Sequence, residues 1–482
     1  MIFLIALFFR LYKLNETEIY PDEITWTVRS RESFLAIKTG NFDYFKDAWW
    51  NKSNDTEAIN LPTAIISGAA IFFLAKGQPT HYSLNMLPDY LAARIPIIFL
   101  TSIFAAIFYF IAKKITKNSY IALLSALLIS LDPTSIALSR WSLADFPLTI
   151  WMSLSLTSFF LIKRNKLSIA LSAFFACLAF LTKPTGLIVF IPFIVFSPKK
   201  SLISIVLFLI FTKFLWLGQN QNIFFEIYSY FIRQLQLSNT PFLTFFQGKI
   251  TGNPPFYYYL QQIFTRLLAL PIILFLVYPF VAKKIKFKQS NFIKVIIPTF
   301  MIIYLIILSI PAKKLGVRYI FPIIPWVYLY SAISAYEIII KFKTKYHIFF
   351  YSLIFGSIVF ATISYFPNYY LYRNVFVCKL QNFQEKEVLG LCMGVKSSLE
   401  YIHKNYPTIR SIAYLGCSKT TIPYYSSLSI STDWKQEKLI VVEESLTMLS
   451  PELEAVQYYK NKKPIYINSW RGIVLSRIYY NN

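Results

Sequence analysis

The sequence predicts an α-helical polytopic membrane protein with a small α/β domain at its C-terminal end, and three observations predict it. First, the 482 residues are 56% hydrophobic and only 15% charged, where soluble domains carry about 25% charged residues; mean hydropathy is +0.50. Second, the apolar residues of segment 1–366 gather into runs of bilayer-spanning length separated by short basic clusters. Third, from residue 367 onward the pattern changes to short alternating β-like and helix-like segments, the signature of a compact domain outside the membrane.

The runs come in order near residues 94–112, 119–138, 146–162, 201–217, 263–282, 291–310, 319–338 and 347–366. Two shorter ones, 167–182 and 185–197, meet at Lys183-Pro184, where proline ends or kinks a helix, so they are two thin helices or a hairpin. Met1 to Phe9 is apolar but shorter than the roughly 20 residues a span requires, and no basic region precedes it, so the sequence is expected to begin inside its first transmembrane helix. Segment 62–76 has only about 15 apolar-leaning residues and is expected to lie in the interface within a long first outer loop, 15–93. The basic clusters then fall into register: Lys113, Lys114 and Lys117; Lys163, Arg164 and Lys166; Lys199 and Lys200; Lys283, Lys284, Lys286 and Lys288; Lys341, Lys343 and Lys345. All five share one side, which the positive-inside rule makes cytoplasmic, and the expected architecture has about eleven spans in a plasma membrane with the tail outside. In the tail, 411–415, 439–442, 465–467 and 473–478 read as strands, and 395–405 and 451–460 as helices.

The net charge of +25 raises the question of nucleic acid, but a nucleic-acid binder concentrates Lys and Arg on one face, whereas here they are dispersed between apolar runs. Phe, Tyr, Ile, Lys and Asn are abundant, as an AT-rich genome also produces, so the aromatic total carries little functional weight. Four cysteines and three histidines show no zinc-ligand spacing and no basis for a His-centred triad.

Charges that oppose the topology carry the chemistry, because an ionised group near mid-bilayer costs about 2.5–3.5 kcal/mol on insertion scales. Asp22 and Glu23, in Tyr20-Pro21-Asp22-Glu23, follow the first apolar run and suit a general base and its partner; a solvated loop start at a proline turn is the plainer alternative. Arg140 and Asp145 lie in the second outer loop, the arginine suited to a phosphate and the aspartate to a sugar hydroxyl, or else the two form a salt bridge with each other at the start of the next helix. Lys183, Lys313, Lys314 and Arg318, with the phenol of Tyr319, are cations placed to stabilise a departing phosphate, or to snorkel to headgroups. Tyr257 and Tyr258, in an aromatic patch from Gly252 to Tyr259, are candidates for a substrate cleft as well as for an interfacial belt. Asp22, Glu23 and Asp145 are also candidate ligands for a divalent metal ion, to which Glu57 and His81 would add from the same side.

These motifs, taken in order, resemble the C-type glycosyltransferases (GT-C), within them the group of protein O-mannosyltransferases and aminoarabinose lipid A transferases. The resemblance covers roughly residues 1–366. It rests on Phe9-Arg10-Leu11-Tyr12-Lys13-Leu14 followed by Asp22-Glu23, on Leu91-Ala92-Ala93-Arg94-Ile95-Pro96, and on Ser139-Arg140 with Asp145. Leu181-Thr182-Lys183-Pro184, Pro255-Phe256-Tyr257-Tyr258-Tyr259, and Lys313-Lys314 through Arg318-Tyr319 to Pro322 continue the series. It implies that Asp22 is the catalytic base, Glu23 its partner and Asp145 a second acidic site residue, with Lys183 and Arg318 as ligands of the donor phosphate. Two departures stand out: the shortened first helix, and Leu61-Pro62-Thr63 where the group has a double proline.

The expected function is inverting transfer of a sugar from a polyprenyl-phosphate donor to an extracytoplasmic lipid, glycan or protein. No nucleotide-sugar motif is needed, since the donor arrives attached to lipid. A secondary transporter or lipid flippase is the alternative from another class, and such proteins tend to internal repeats and Gly-broken helices; this chain has 13 Gly and no evident repeat. A Gly-rich phosphate loop for an ATP-driven pump is absent. A non-catalytic scaffold for the tail is the third possibility.

Overall fold

The computed structural model describes all residues except 42–60, 76–86, 217–222, 241–242, 248, 282–290, 315, 375–392, 432 and 482. Every apolar run of the first 366 residues becomes helical, though several are divided. Leu87–Thr116 is a 30-residue helix; Asp145–Leu161, Asn165–Thr182, Pro198–Leu215 and His347–Ser364 follow the expected runs closely, as does Phe292–Ser309, which opens with a π-helical turn, Phe292–Ile296. The run near 119–138 differs: it forms Ser119–Leu131 and Pro133–Ser139, bent by 58°. Pro133 has no N–H to continue the ladder, and the carboxylate of Asp132 accepts from Ser135 N at 2.6 Å to start the second piece as a new helix. The run near 263–282 likewise divides into Tyr258–Arg266 and Ala269–Val281, and the one near 319–338 opens with a 3-10 segment, Val317–Ile323, before Ile324–Ile339.

These breaks bear on the expected eleven spans. Among the described residues four helices are individually long and apolar enough to cross a bilayer, five if the bent pair counts as one span, and Ile2–Leu11, Pro62–Leu74, Pro184–Phe196 and Ala269–Val281 are shorter apolar helices. Ile324–Ile339 is buried nearly all round at the centre of the bundle, where Trp326, Val327, Tyr328 and Leu329 are fully enclosed, while His347–Ser364 presents Ile348, Phe349, Leu353 and Phe360 outward. An outward apolar face of that kind is stable against lipid and not against water.

Two ends of the bundle are chemically distinct. Asp145–Leu161 and Asn165–Thr182 pack against each other, and a 17-residue helix is about 26 Å long. The pair therefore carries Asp145 and Lys183 at one end and Lys163, Arg164 and Lys166 at the other. Lys200 joins this second end by donating to the Phe159 carbonyl and, at 2.7 Å, to Ser168 Oγ. Tyr120 stacks on Tyr351 at 5.8 Å, bringing together the starts of two further helices.

In the expected first loop, Pro21–Thr39 and Leu61–Leu74 pack side by side and against Leu87–Thr116. Leu61–Leu74 has 14 residues, about 21 Å, which is short of a hydrocarbon core and suits the interfacial placement. Gly68 makes the close approach possible, since a Cβ there would stand 2.0 Å from the Ser30 carbonyl oxygen.

The tail forms a five-stranded mixed sheet in the order Ser429–Ser431, Ser411–Leu415, Leu439–Glu443, Ile473–Tyr480, Tyr466–Trp470. The first three strands run parallel, and Ile473–Tyr480 runs antiparallel to its neighbours on both sides, Leu439–Glu443 and Tyr466–Trp470. Ser429–Ser431 was not expected, because three residues are too few to show a period. The helix Val395–Asn405 has the bounds read from the sequence. The tail has its own cores on the two sides of the sheet, one around Ile402, Ile412 and Val441 and one around Ile440, Val442 and Tyr459, separate from the large core between Ala6 and Tyr372. Leu371, Met393 and Leu475 form a small apolar seam between them, covered by Tyr365 and Trp470.

Candidate active site

Asp22 and Glu23 occupy the first turn of Pro21–Thr39, where Pro21 has the preset φ of a helix start and carboxylates face the positive end of the helix dipole. Adjacent residues on a helix point about 100° apart, and the two acids have different surroundings. Glu23 turns inward and is fully buried: Arg94 Nε and Nη2 donate to its two oxygens at 2.8 Å each, and Ser142 N donates to it at 2.9 Å. Arg94 also donates to the carbonyls of Thr17 and Glu18 at 3.0 Å. This fork ties the first loop, the second loop and the start of the long helix to one another. Asp22 turns the other way, its side chain 43% exposed, and accepts from Arg318 Nη1 at 2.5 Å.

Asp145 and Lys183 form the second acid–cation pair, Asp145 opening its helix and Lys183 standing in the extended residue between Asn165–Thr182 and the 3-10 turn Pro184–Val189. Gly186 lets that turn fold back, since a Cβ would lie 2.4 Å from the backbone of Ala179. The ammonium of Lys183 also sits 4.4 Å from the Tyr319 ring centre, and the guanidinium of Arg318 is 5.7 and 5.5 Å from the rings of Tyr20 and Tyr319. Burial acts to lower the Arg318 pKa, but Tyr20 and Asp22 hold it well above the ordinary arginine value, so it is a permanent cation.

The two pairs face one cavity of about 490 Å³. Asp22, Asp145, Lys183, Lys313, Arg318 and Tyr319 are among its polar lining residues, and Leu187, Ile188, Ile191, Ile307, Leu308 and Phe231 among its apolar ones. Lys313 is carried on a loop whose backbone N–H donates to the Ser238 carbonyl at 3.0 Å, so the helix Ile223–Asn239 closes that side.

Several candidates lie elsewhere. Arg140 is buried, donates to the carbonyls of Tyr12 and Lys13 at 3.2 and 2.8 Å, and does not line the cavity. The alternative of an Arg140–Asp145 bridge gives way to Asp145–Lys183. Lys314 is buried, donates to the Pro311 carbonyl at 3.0 Å, and is also absent from the lining. Tyr257 and Tyr258 pack on Phe246, and it is the next residue, Tyr259, that reaches the cavity. Three consecutive tyrosines carry no signal of which one faces inward until the helix phase is known. Trp26 and Thr185 also line the cavity and carry no signal in the sequence; the signal for Arg94 is its place as a lone cation beside an apolar run.

The residues do not fit a divalent ion well. Asp22, Glu23 and Asp145 each face a basic side chain, and among the described residues no three His, Cys, Asp or Glu side chains stand close enough to share a metal. Glu57 and His81 lie outside the described residues.

Residues 61–289, just under half of the chain, match the family model described as dolichyl-phosphate-mannose-protein mannosyltransferase. The match takes in Arg94, Arg140, Asp145 and Lys183 and leaves Asp22 and Arg318 outside its bounds. No curated protein sequence matches the chain. Among solved structures, ArnT from Cupriavidus metallidurans bound to undecaprenyl phosphate is similar with a TM-score of 0.50 and 12% identity, over 100% of this chain and 96% of that one. The same protein in its apo state is similar with a TM-score of 0.51 and 12% identity, over 99% and 96%. At that identity the likeness is one of fold. Together with the family match over residues 61–289, this likeness of fold supports the C-type glycosyltransferase resemblance carried by the sequence motifs.

Proposed function

We propose that the chain transfers a sugar from a polyprenyl-phosphate donor to an acceptor at the extracytoplasmic face of the membrane, with inversion at the anomeric carbon. The observation that carries this reading is the Asp22–Arg318 pair in a cavity lined by both ionised and apolar side chains. A lipid-linked sugar phosphate combines the same two characters. Its anion fits against Lys183, Lys313 and Arg318, and its isoprenoid chain fits along Leu187, Ile188, Ile191, Ile307 and Leu308. The similar ArnT structure holds undecaprenyl phosphate, which is the polyprenyl-phosphate part of such a donor without its sugar.

In this mechanism the donor phosphate draws Arg318 away from Asp22, and the half-exposed Asp22 is left free to accept a proton. An acceptor hydroxyl or amine gives that proton to Asp22 as its oxygen or nitrogen attacks the anomeric carbon. The bond from that carbon to the phosphate oxygen breaks as the new one forms, and the electron pair leaves with the lipid monophosphate. Lys183 and Arg318 stabilise the charge that gathers on the departing oxygen. Asp145 keeps the Lys183 ammonium aimed into the cavity. The family match to a mannosyltransferase model suggests a hexose, and the acceptor is a lipid, glycan or protein.

Vesicles carrying the chain should transfer label from a polyprenyl-phosphate sugar to an acceptor. Asp22→Asn should abolish transfer while leaving the amount of folded protein unchanged. Full activity of that variant removes Asp22 from the mechanism, and movement of the intact donor between leaflets without transfer supports a flippase instead.

A further inference from the structure

Glu18 takes no part in the chemistry just described, and yet it stands where the tail meets the segment leading into Asp22. The chain from Asn15 to Tyr20 runs through this seam and is gripped from both sides. From the bundle, Arg94 holds the Thr17 and Glu18 carbonyls, and Trp141 Nε1 donates to the Glu18 carbonyl at 3.0 Å. From the tail, the backbone N–H groups of Gly394 and Val395 donate to Glu18 Oε2 at 2.8 and 3.3 Å. Ile19 N donates to the Tyr425 hydroxyl at 2.5 Å, and Lys396 Nζ donates to the Asn15 carbonyl at 3.2 Å.

The tail is shaped for this contact. Gly394 has φ +94°, and a Cβ on it would lie 2.7 Å from Leu475 Cβ and 2.8 Å from Asn468 Nδ2. A glycine is therefore required at the turn that presents the two amides. Asn468 Nδ2 in turn holds the Gly394 carbonyl at 2.9 Å. The Glu18 side chain is half-buried with its carboxyl end in the seam, where burial pushes its pKa up to about 7 against the pull of the Gly394 and Val395 amides, with Glu443 also raising it. A carboxyl group left in such surroundings without its donors would be costly, so the contact is worth more than an exposed hydrogen bond.

We infer that Glu18 is a positioning residue through which the docked tail fixes the segment Ile19–Asp22, and with it the carboxylate of Asp22 at the cavity. This rests on the transferase reading above. Asp22 is four residues from Glu18, and Tyr20 between them packs against Trp141 with ring centres 4.9 Å apart and lies 5.7 Å from the Arg318 guanidinium. Slack introduced at Glu18 thus passes directly to the proposed base and to its cationic partner. A displacement of about 1 Å in a reacting group is enough to lower turnover on the order of 100-fold.

The test uses the full chain in vesicles, with hydrogen exchange read on peptides covering 15–30 and 394–400 alongside transfer kinetics. Glu18→Ala should raise exchange in both peptides and lower kcat on the order of 100-fold, with the donor KM within about twofold. Glu18→Gln retains an acceptor oxygen for the two amides and should restore most of kcat and of the protection. If Glu18→Ala does not fold, Tyr425→Phe removes the hydroxyl that accepts from Ile19 N and should raise exchange in 15–30. Unchanged exchange in 15–30, or wild-type kcat in Glu18→Ala, overturns the inference. Should the wild-type chain transfer no sugar, the transferase reading fails by itself, and exchange in 15–30 still decides whether Glu18 holds the Asp22 segment.

Discussion

Replacing Glu23 would leave Arg94 inside the protein without its counter-charge. Both side chains are fully buried, and removing one member of a buried, hydrogen-bonded ion pair typically costs about 3–5 kcal/mol, because the other is left uncompensated. Glu23→Gln should therefore lower the thermal stability of the detergent-solubilised chain markedly, and a melting curve unchanged from wild type would refute the structural role assigned here. Asp22 invites the opposite expectation, since its side chain is 43% exposed and its loss should change activity more than stability. Two neighbouring acids thus divide into one fully buried on Arg94 and one half-exposed at the cavity on Arg318. The sequence offers them as a pair because adjacency is visible in it, whereas the direction each side chain takes depends on Arg94, 71 positions away, and on Arg318, 296 positions away. Lys183 and Asp145 teach the same lesson: each stood out as a charge at the end of an apolar run, and only the packing of two antiparallel helices makes them partners.

Among the elements, Pro21–Thr39 has the most demanding place, because it brings Asp22 to the cavity while lying across Leu61–Leu74. Their contact at Gly68 has no room for a side chain: a Cβ would meet the Ser30 backbone and Phe34 Cβ, at 2.0 and 2.6 Å. Gly68→Ala must separate the two helices, and overpacking of this kind costs about 1–3 kcal/mol. Lower thermal stability together with reduced transfer is the expected outcome, read by unfolding and by label transfer; wild-type values in both would mean that the helices yield without moving Asp22. Helix existence was legible from apolar runs alone, since a long uninterrupted run leaves the backbone no other way to satisfy its polar groups in lipid. Helix continuity was less so. The run through Asp132-Pro133 has the composition of one span, but the aspartate caps a new helix and the proline cannot continue the old one, so the chain turns by 58°.

For the whole molecule, the two-ended bundle makes the orientation testable. Lys345 and Lys404 are both exposed, the first in the last of the basic clusters and the second in the tail. If the positive-inside rule holds, then in a background lacking the natural cysteines Lys404→Cys should label with an impermeant thiol reagent from outside intact cells. Lys345→Cys should label only after permeabilisation, and the reverse pattern would put the cavity on the cytoplasmic side and remove the extracytoplasmic transferase reading. Membrane class, the change of material near residue 367 and the out-of-place charges were all determined by the sequence itself. Each follows from solvation, and the free energy of placing a residue in lipid or water depends on its own chemistry and that of its near neighbours. Which charges would meet, that Tyr259 and not Tyr257 or Tyr258 would reach the cavity, and that the tail would close over Glu18 were decided only by the tertiary structure. Those outcomes rest on distances of a few ångströms between residues tens to hundreds of positions apart, and hydropathy carries no information at that range.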